Sequence, residues 1–156
     1  MITVDVPGSP RLEIRDVVCD FNGTLAFDGA LIDGVRERLA ALAAVATLHV
    51  VTADTFGMAR TALAGVDMKL TVLPAGDHAE AKAAYVECIG AAHTAAVGNG
   101  RNDRAMLAAA ALSIAVIGPE GAAAEALAAA QIAAPDIRAA LDLLLRPKRL
   151  IATLRR

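Results

Sequence analysis

At 156 residues the chain fits one domain with room for a sizeable core. It is 56% hydrophobic but only 3% aromatic, a composition in which alanine weighs heavily and which suits helices packed closely on a sheet. A net charge of -2 gives no general pull toward nucleic acid or anionic lipid, and no apolar run reaches the roughly 18 to 20 residues of a membrane span. The opening MITVDVPGSP has no basic region leading into an apolar stretch, so it does not read as a secretory signal. Cys19 and Cys88 are far apart and form no CxxC or Cys/His cluster. Free thiols fit a reducing compartment, and a cytoplasmic location is the expectation.

In chain order, residues 2–6 and 12–14 flank Pro7-Gly8-Ser9-Pro10, a turn signal that predicts an N-terminal hairpin within residues 1–15. Residues 17–21 form a short apolar run carrying Asp20, the pattern of a buried strand. Asp33 is placed to cap a helix whose Val35, Leu39 and Leu42 share one face. A second buried strand covers 48–51, a helix follows around 57–64 with Gly65 as its stop, and a third strand covers 70–73. Asp77 with Glu80 forms a capping-box pattern opening a helix that ends at Gly90. Then come a strand at 95–97, a helix from about Asp103, a strand at 114–117, a helix through 122–129 and a short strand at Ile132. Asp136 caps a helix over 137–145, and Pro147 is expected to stop it, leaving a basic tail over 146–156. That tail carries five Lys or Arg residues and reads as a solvated helix face.

Strands alternating with helices predict a three-layer, Rossmann-like α/β domain. Right-handed crossovers would give a mainly parallel sheet with helices on both faces. In such sheets ligands bind beyond the carboxyl ends of the strands, near a topological switch point. Three strands end in polar residues: Cys19-Asp20-Phe21-Asn22-Gly23-Thr24, Val51-Thr52-Ala53-Asp54, and Val97-Gly98-Asn99-Gly100-Arg101-Asn102-Asp103. Lys82 falls in the first turns of its helix at the same end, on the stripe of Val86 and Ile89 where packing alone would prefer an apolar residue. These are the parts that phosphoryl transfer uses. A carboxylate attacks phosphorus, hard oxygens hold Mg²⁺, and glycines, a hydroxyl and an ammonium meet the phosphoryl oxygens.

DFNGTL resembles the first motif of the haloacid dehalogenase superfamily, DxDGT. Thr52 matches the hydroxyl of the second motif, Lys82 the base of the third, and GNGRND the fourth, GDGxND. The TAD around Thr52 is also similar to the TGD of P-type ATPases, and the nearest group is a small, soluble P-type-ATPase-like branch. The resemblance runs from about Val17 to Ile117. It implies a Mg²⁺-dependent phosphohydrolase of phosphoric monoesters or anhydrides, acting through an aspartyl-phosphate. Asp20 would be nucleophile and metal ligand, and the carbonyl of Asn22 a second ligand. Thr24, Thr52, Ala53 and the amides around Gly23 would hold the phosphoryl group, with Lys82 balancing charge. Asn99 falls on the usual acidic metal ligand and Asp103 on the supporting acid.

Two departures bear on activity. Asn22 replaces the acid that protonates the leaving group in phosphatases of this superfamily, and an amide neither donates that proton nor activates water at neutral pH. Asn99 removes a negative charge from the metal shell. Anhydrides, acyl phosphates and aryl phosphates are therefore expected over alkyl phosphates. The alternative is a weakened module that binds phosphate or a protein partner in a regulatory role. The gaps between motifs hold a short flap and single helices but no cap domain. An open site is expected to take a phosphorylated small molecule or a phosphoprotein, or to be covered by a second copy of the chain. A receiver domain, which also uses Asp, Thr and Lys, is excluded by motif order. Asp54 is expected to order its own loop, and His49, His78 and His93 lack paired metal-ligand spacing and read as structural.

Overall fold

Alternation within each short strand sorts side chains onto two faces, and that sorting builds the domain. The computed structural model describes residues 1–54 and 57–155; Arg156 of the expected basic tail lies outside them. The strands β1 (Ile2–Val4) and β2 (Leu12–Ile14) pair antiparallel as the expected hairpin. Then β3 (Asp16–Cys19) enters the main sheet. A small hairpin, β4 (Ala26–Phe27) with β5 (Ala30–Leu31), is the expected flap, and it leads into α1 (Val35–Ala43). The chain continues through β6 (Thr47–Thr52), α2 (Met58–Ala62), β7 (Lys69–Val72) and α3 (His78–Ile89). After β8 (Thr94–Gly98) a 3-10 turn, Arg101–Asp103, opens α4 (Arg104–Ala109). The last elements are β9 (Leu112–Val116), α5 (Ala124–Ala129), β10 (Ile132–Ala134), α6 (Ile137–Leu145) and α7 (Pro147–Leu154).

The main sheet has six strands in the order β10-β9-β8-β3-β6-β7, every neighbouring pair parallel. From β3 the chain winds outward to β6 and β7, then returns to place β8 on the other side of β3. The switch point therefore lies between β3 and β8. On one face Val17 and Cys19 of β3, Leu48 and Val50 of β6 and Val97 of β8 meet Leu39 and Leu42 of α1 and Leu141 and Leu144 of α6. The N-terminal hairpin joins this core through Val4 and Ile14. On the opposite face Val18, Val51 and Ala96 meet Val86 of α3, Met106 and Leu107 of α4 and Ala126 of α5. This is the three-layer arrangement that the strand–helix alternation predicts. No helix among the described residues is long and apolar enough to cross a membrane.

Several element bounds shift by one to two residues, and two expected helix signals act differently. Asp33 does not cap α1: the Val35 amide bonds the Ile32 carbonyl at 3.1 Å, and the turn so formed puts Gly34 in the cap position at φ 81. That left-handed backbone suits glycine and leaves Asp33 exposed. Pro147 ends α6, but it also opens α7, because a proline at the first helical position gives up no hydrogen bond. The tail is accordingly a docked helix with Leu150 fully buried in the same core as Val4.

Candidate functional site

All four expected motifs arrive at the carboxyl end of the sheet around the switch point. Asp20 follows the last residue of β3, and its amide donates to the Val97 carbonyl of β8 at 3.0 Å. Its carboxylate is buried, 6% exposed, and holds two partners. Lys82 Nζ donates to Oδ1 at 2.6 Å, and the Thr24 hydroxyl lies 3.1 Å from Oδ2. The same hydroxyl is 3.1 Å from Asn99 Oδ1, so its one proton serves either oxygen and draws them toward a common point.

Lys82 reaches this point because α3 is oriented by its caps. The Asp77 carboxylate accepts from the amides of Ala79 and Glu80, and Gly90 closes the far end in the left-handed region. The stripe of Ala79, Lys82 and Val86 is buried against the sheet, with Lys82 only 1% exposed. Its ammonium also donates to Asp103 Oδ1 at 2.7 Å. Burial alone would pull the lysine pKa down, but the two carboxylates outweigh it and hold the pKa above the ordinary value.

Asp103 is spent on structure. Its Oδ2 accepts the amides of Asn99 at 2.9 Å and Gly100 at 2.8 Å, while Oδ1 accepts Lys82. Gly98 makes this possible, since a Cβ there would stand 2.6 Å from Asp103 Cγ. Burial, then the neighbouring Asp103 charge, push the Asp20 carboxyl up to about 6, with Lys82 and Thr24 pulling the other way. Asp20 is still mainly ionised at neutral pH.

The other expected residues fall as follows. Thr52 is buried at the end of β6, where its hydroxyl accepts the Asp54 amide at 3.2 Å, a bond that does not use the hydroxyl's own proton. Asp54 orders the loop, its two oxygens accepting the amides of Met58 and Ala59 at the start of α2. Ala53 is half-buried between them. Asn22 is exposed. The amides of Gly23 and Thr24, expected at phosphoryl oxygens, are instead spent within the turn, on the carbonyls of Ala26 at 2.9 Å and Phe21 at 3.2 Å. The tight turn after Asp20 competes for those donors. His49 bridges Tyr85 and Asp16 as a buried structural residue.

Sequence reasoning missed Glu120, in the loop after β9 at the same end of the sheet. Gly23, at φ 78, has no side chain, and the point its Cβ would occupy is 2.5 Å from Glu120 Oε2 and 2.7 Å from Asn99 Nδ2. The signal was available, because residues just past a strand's carboxyl end are candidates wherever the strands are parallel.

Among the described residues no three His, Cys, Asp or Glu side chains cluster as a metal cage. Mg²⁺ does not need one, since it takes one or two carboxylates and fills its shell with water and phosphate. Asp20 Oδ2, which holds only the Thr24 hydroxyl, and the Asn99 Oδ1 on the same hydroxyl are hard oxygens that suit this ion.

Several solved structures with this architecture are phosphatases. The 3-deoxy-D-manno-octulosonate 8-phosphate phosphatase of Moraxella catarrhalis, with magnesium, phosphate and KDO bound, superposes with a TM-score of 0.70 at 17% identity, over 89% of this chain and 90% of that one. The cobalt-bound phosphatase YrbI of Haemophilus influenzae gives 0.68 at 20% identity, over 90% and 92%. The chain has the haloacid dehalogenase fold. A phosphoserine phosphatase in its apo form also matches, at 0.68 and 15% identity, over 86% and 99%. The dehalogenase-fold chain matches no family model. By sequence it is 50% identical over 60 residues to the uncharacterized protein MJ0073 of Methanocaldococcus jannaschii, a match over 38% of this chain and 64% of that protein's length. It is 44% identical over 39 residues to MJ0072 of the same organism, over 25% of this chain and 89% of MJ0072, and belongs to one family with it.

Proposed function

We propose that the chain is a Mg²⁺-dependent phosphohydrolase that works through an aspartyl-phosphate on Asp20. The observation that carries this reading is the Asp20 carboxylate at the switch point, bonded to Lys82 at 2.6 Å and to Thr24 at 3.1 Å, beside Thr52 and the Gly98 turn. An Asp20 oxygen attacks phosphorus, the bond to the leaving oxygen breaks, and that oxygen departs as an anion. Water then attacks the phosphoryl-aspartate, restoring the carboxylate and releasing phosphate. Lys82 offsets the charge that gathers as nucleophile and phosphoryl group meet, and the Thr52 hydroxyl proton serves a phosphoryl oxygen. Bound Mg²⁺, held by Asp20, Asn99 and the Asn22 carbonyl, would add Lewis-acid stabilisation of that charge.

The exposed Asn22 amide supplies no proton to the leaving group. Substrates whose leaving groups are already stable anions are favoured: acyl phosphates, anhydrides and aryl phosphates. The bound magnesium and cobalt of the two octulosonate phosphatases, and the short flap and single helix that join Asp20 to Thr52, support the reading. The missing acid at Asn22 also supports the P-type-ATPase-like branch, whose leaving group is ADP.

Incubation with acetyl phosphate and Mg²⁺ tests the mechanism. One phosphoryl group should be added, stable in acid and cleaved by hydroxylamine, and Asp20→Asn should abolish both the adduct and turnover. Undiminished turnover in Asp20→Asn overturns the mechanism. The neutral residues Asn22 and Asn99 favour a second reading, a regulatory module that binds phosphate or a protein partner. That reading is upheld if Asp20→Asn binds inorganic phosphate as well as the native chain while neither hydrolyses acetyl phosphate.

A further inference from the structure

We propose that Glu120 is the second carboxylate of the divalent-cation site. The inference rests on the function proposed above and names a ligand that the four motifs do not contain. Its starting point is a shortage of charge. Asn99 is neutral where the fold's fourth motif has an acid, and both oxygens of Asp103 are occupied by Lys82 and two amides. Of the carboxylate oxygens in the four motifs that meet here, Asp20 Oδ2 is left, with only a hydroxyl for a partner. Mg²⁺ is usually held by one or two carboxylates, so this site has room for a second.

Glu120 stands where that shortage is. Its Oε2 and the two side-chain heteroatoms of Asn99 lie 2.5, 2.7 and 3.1 Å from one point, the place a Cβ on Gly23 would fill. Only a glycine at position 23 leaves room for the carboxylate beside the amide. The loop that carries Glu120 is tied to the same residues at both ends. A Cβ on Gly118 would approach the Gly23 carbonyl at 3.6 Å, the Gly121 carbonyl accepts Asn99 Nδ2 at 3.1 Å, and the Ala123 amide donates to the Asn99 carbonyl at 2.9 Å. That pairing of Nδ2 also fixes Asn99 with Oδ1 toward Thr24 and Asp20. The arginine of the fourth-motif turn does not neutralise this acid, since Arg101 pairs with Glu125 at 2.8 Å. An exposed carboxylate on an anchored loop, next to a neutral ligand and within the reach of a glutamate side chain, supplies the missing negative charge directly or through a bound water.

Calorimetric titration of the full chain with Mn²⁺, without substrate, reads the site independently of turnover. Glu120→Gln should raise Kd about 10-fold or more, the range seen when a group supporting a metal shell is lost. Adding Asn99→Asp to Glu120→Gln should recover most of the affinity, because the charge returns to the same shell. An unchanged Kd in Glu120→Gln overturns the inference and leaves the phosphohydrolase reading standing. So does an unchanged Kd accompanied by a steeper dependence of hydrolysis on leaving-group pKa, which would make Glu120 an acid rather than a ligand. Absence of Mn²⁺ binding by the native chain would overturn both.

Discussion

Asp20 is a carboxyl kept partly against its own ionisation, and this has a measurable sign. Its pKa in the folded chain is raised from 3.8 to about 6, chiefly by burial and then by Asp103. Between those values the folded state keeps a proton that the unfolded chain has released. The contribution is therefore complete below 3.8 and is lost as pH rises through about 6. In metal-free protein, thermal melts should show a drop in Tm over that window that Asp20→Asn lacks, and Mg²⁺ added above it should restore part of the loss. A Tm difference independent of pH between the two would contradict the geometry. Asn22 has a second consequence at this scale. Replacing it by Asp should raise turnover of an alkyl phosphate far more than that of acetyl phosphate, by about 10² to 10⁴-fold if the acid is well placed. Steady-state kcat/KM for the two substrates checks this, and equal gains on both would place Asn22 away from the leaving group.

Among the elements, the 98–103 turn concentrates the most structure into the fewest residues. Gly98 ends β8 with Asp103 folded back over it, and a methyl at Gly98 would collide with Asp103 Cγ at 2.6 Å. Gly98→Ala should displace Asp103, free the amides of Asn99 and Gly100, and release Lys82 from one of its two anchors. Loss of acetyl phosphate turnover together with a lowered Tm is the expected result, whereas Gly121→Ala, with nothing within 4 Å of its Cβ, should keep far more of both despite its φ of 73. The strand pattern made most of this visible in advance. Val17 to Cys19, Leu48 to Val51 and Ala95 to Val97 are apolar runs too short for helices, and each is followed by the polar residues that meet in space. Lys82 was legible because a charge on an apolar stripe demands a partner. What stayed hidden depends on three-dimensional approach. Gly34 displaced Asp33 as a cap through a turn bond, and Leu150 found a core that the basic residues around it concealed. Glu120 could be placed at the active end of the sheet by its position after β9, but its approach to Asn99 depends on the pairing of β8 with β9.

As a whole, the described residues place no cap domain over the site. Between Asp20 and Thr52 stand only the β4–β5 flap and α1, and the flap's Gly29 rests on Met58 of α2, where a Cβ would fall 1.8 Å from Cε. Phe27 at 43% and Met58 at 41% exposure line that side. Bulk on the substrate should therefore cost little: free phosphotyrosine and a phosphotyrosine peptide should show comparable kcat/KM. A steep loss on the peptide, reversed on dilution, would indicate that a second copy covers the mouth. The two thiols lend the molecule a further property. Cys19 is buried in the core beside Asp20, with its thiol pushed up to about 12, while Cys88 is exposed on α3. Since the thiolate is the species that reacts, a maleimide dye should attach once to the native protein and twice after unfolding. Intact mass after a timed pulse of dye would then count opened molecules directly, and the ratio of double to single adducts across a urea series would trace how the strand leading to Asp20 comes apart.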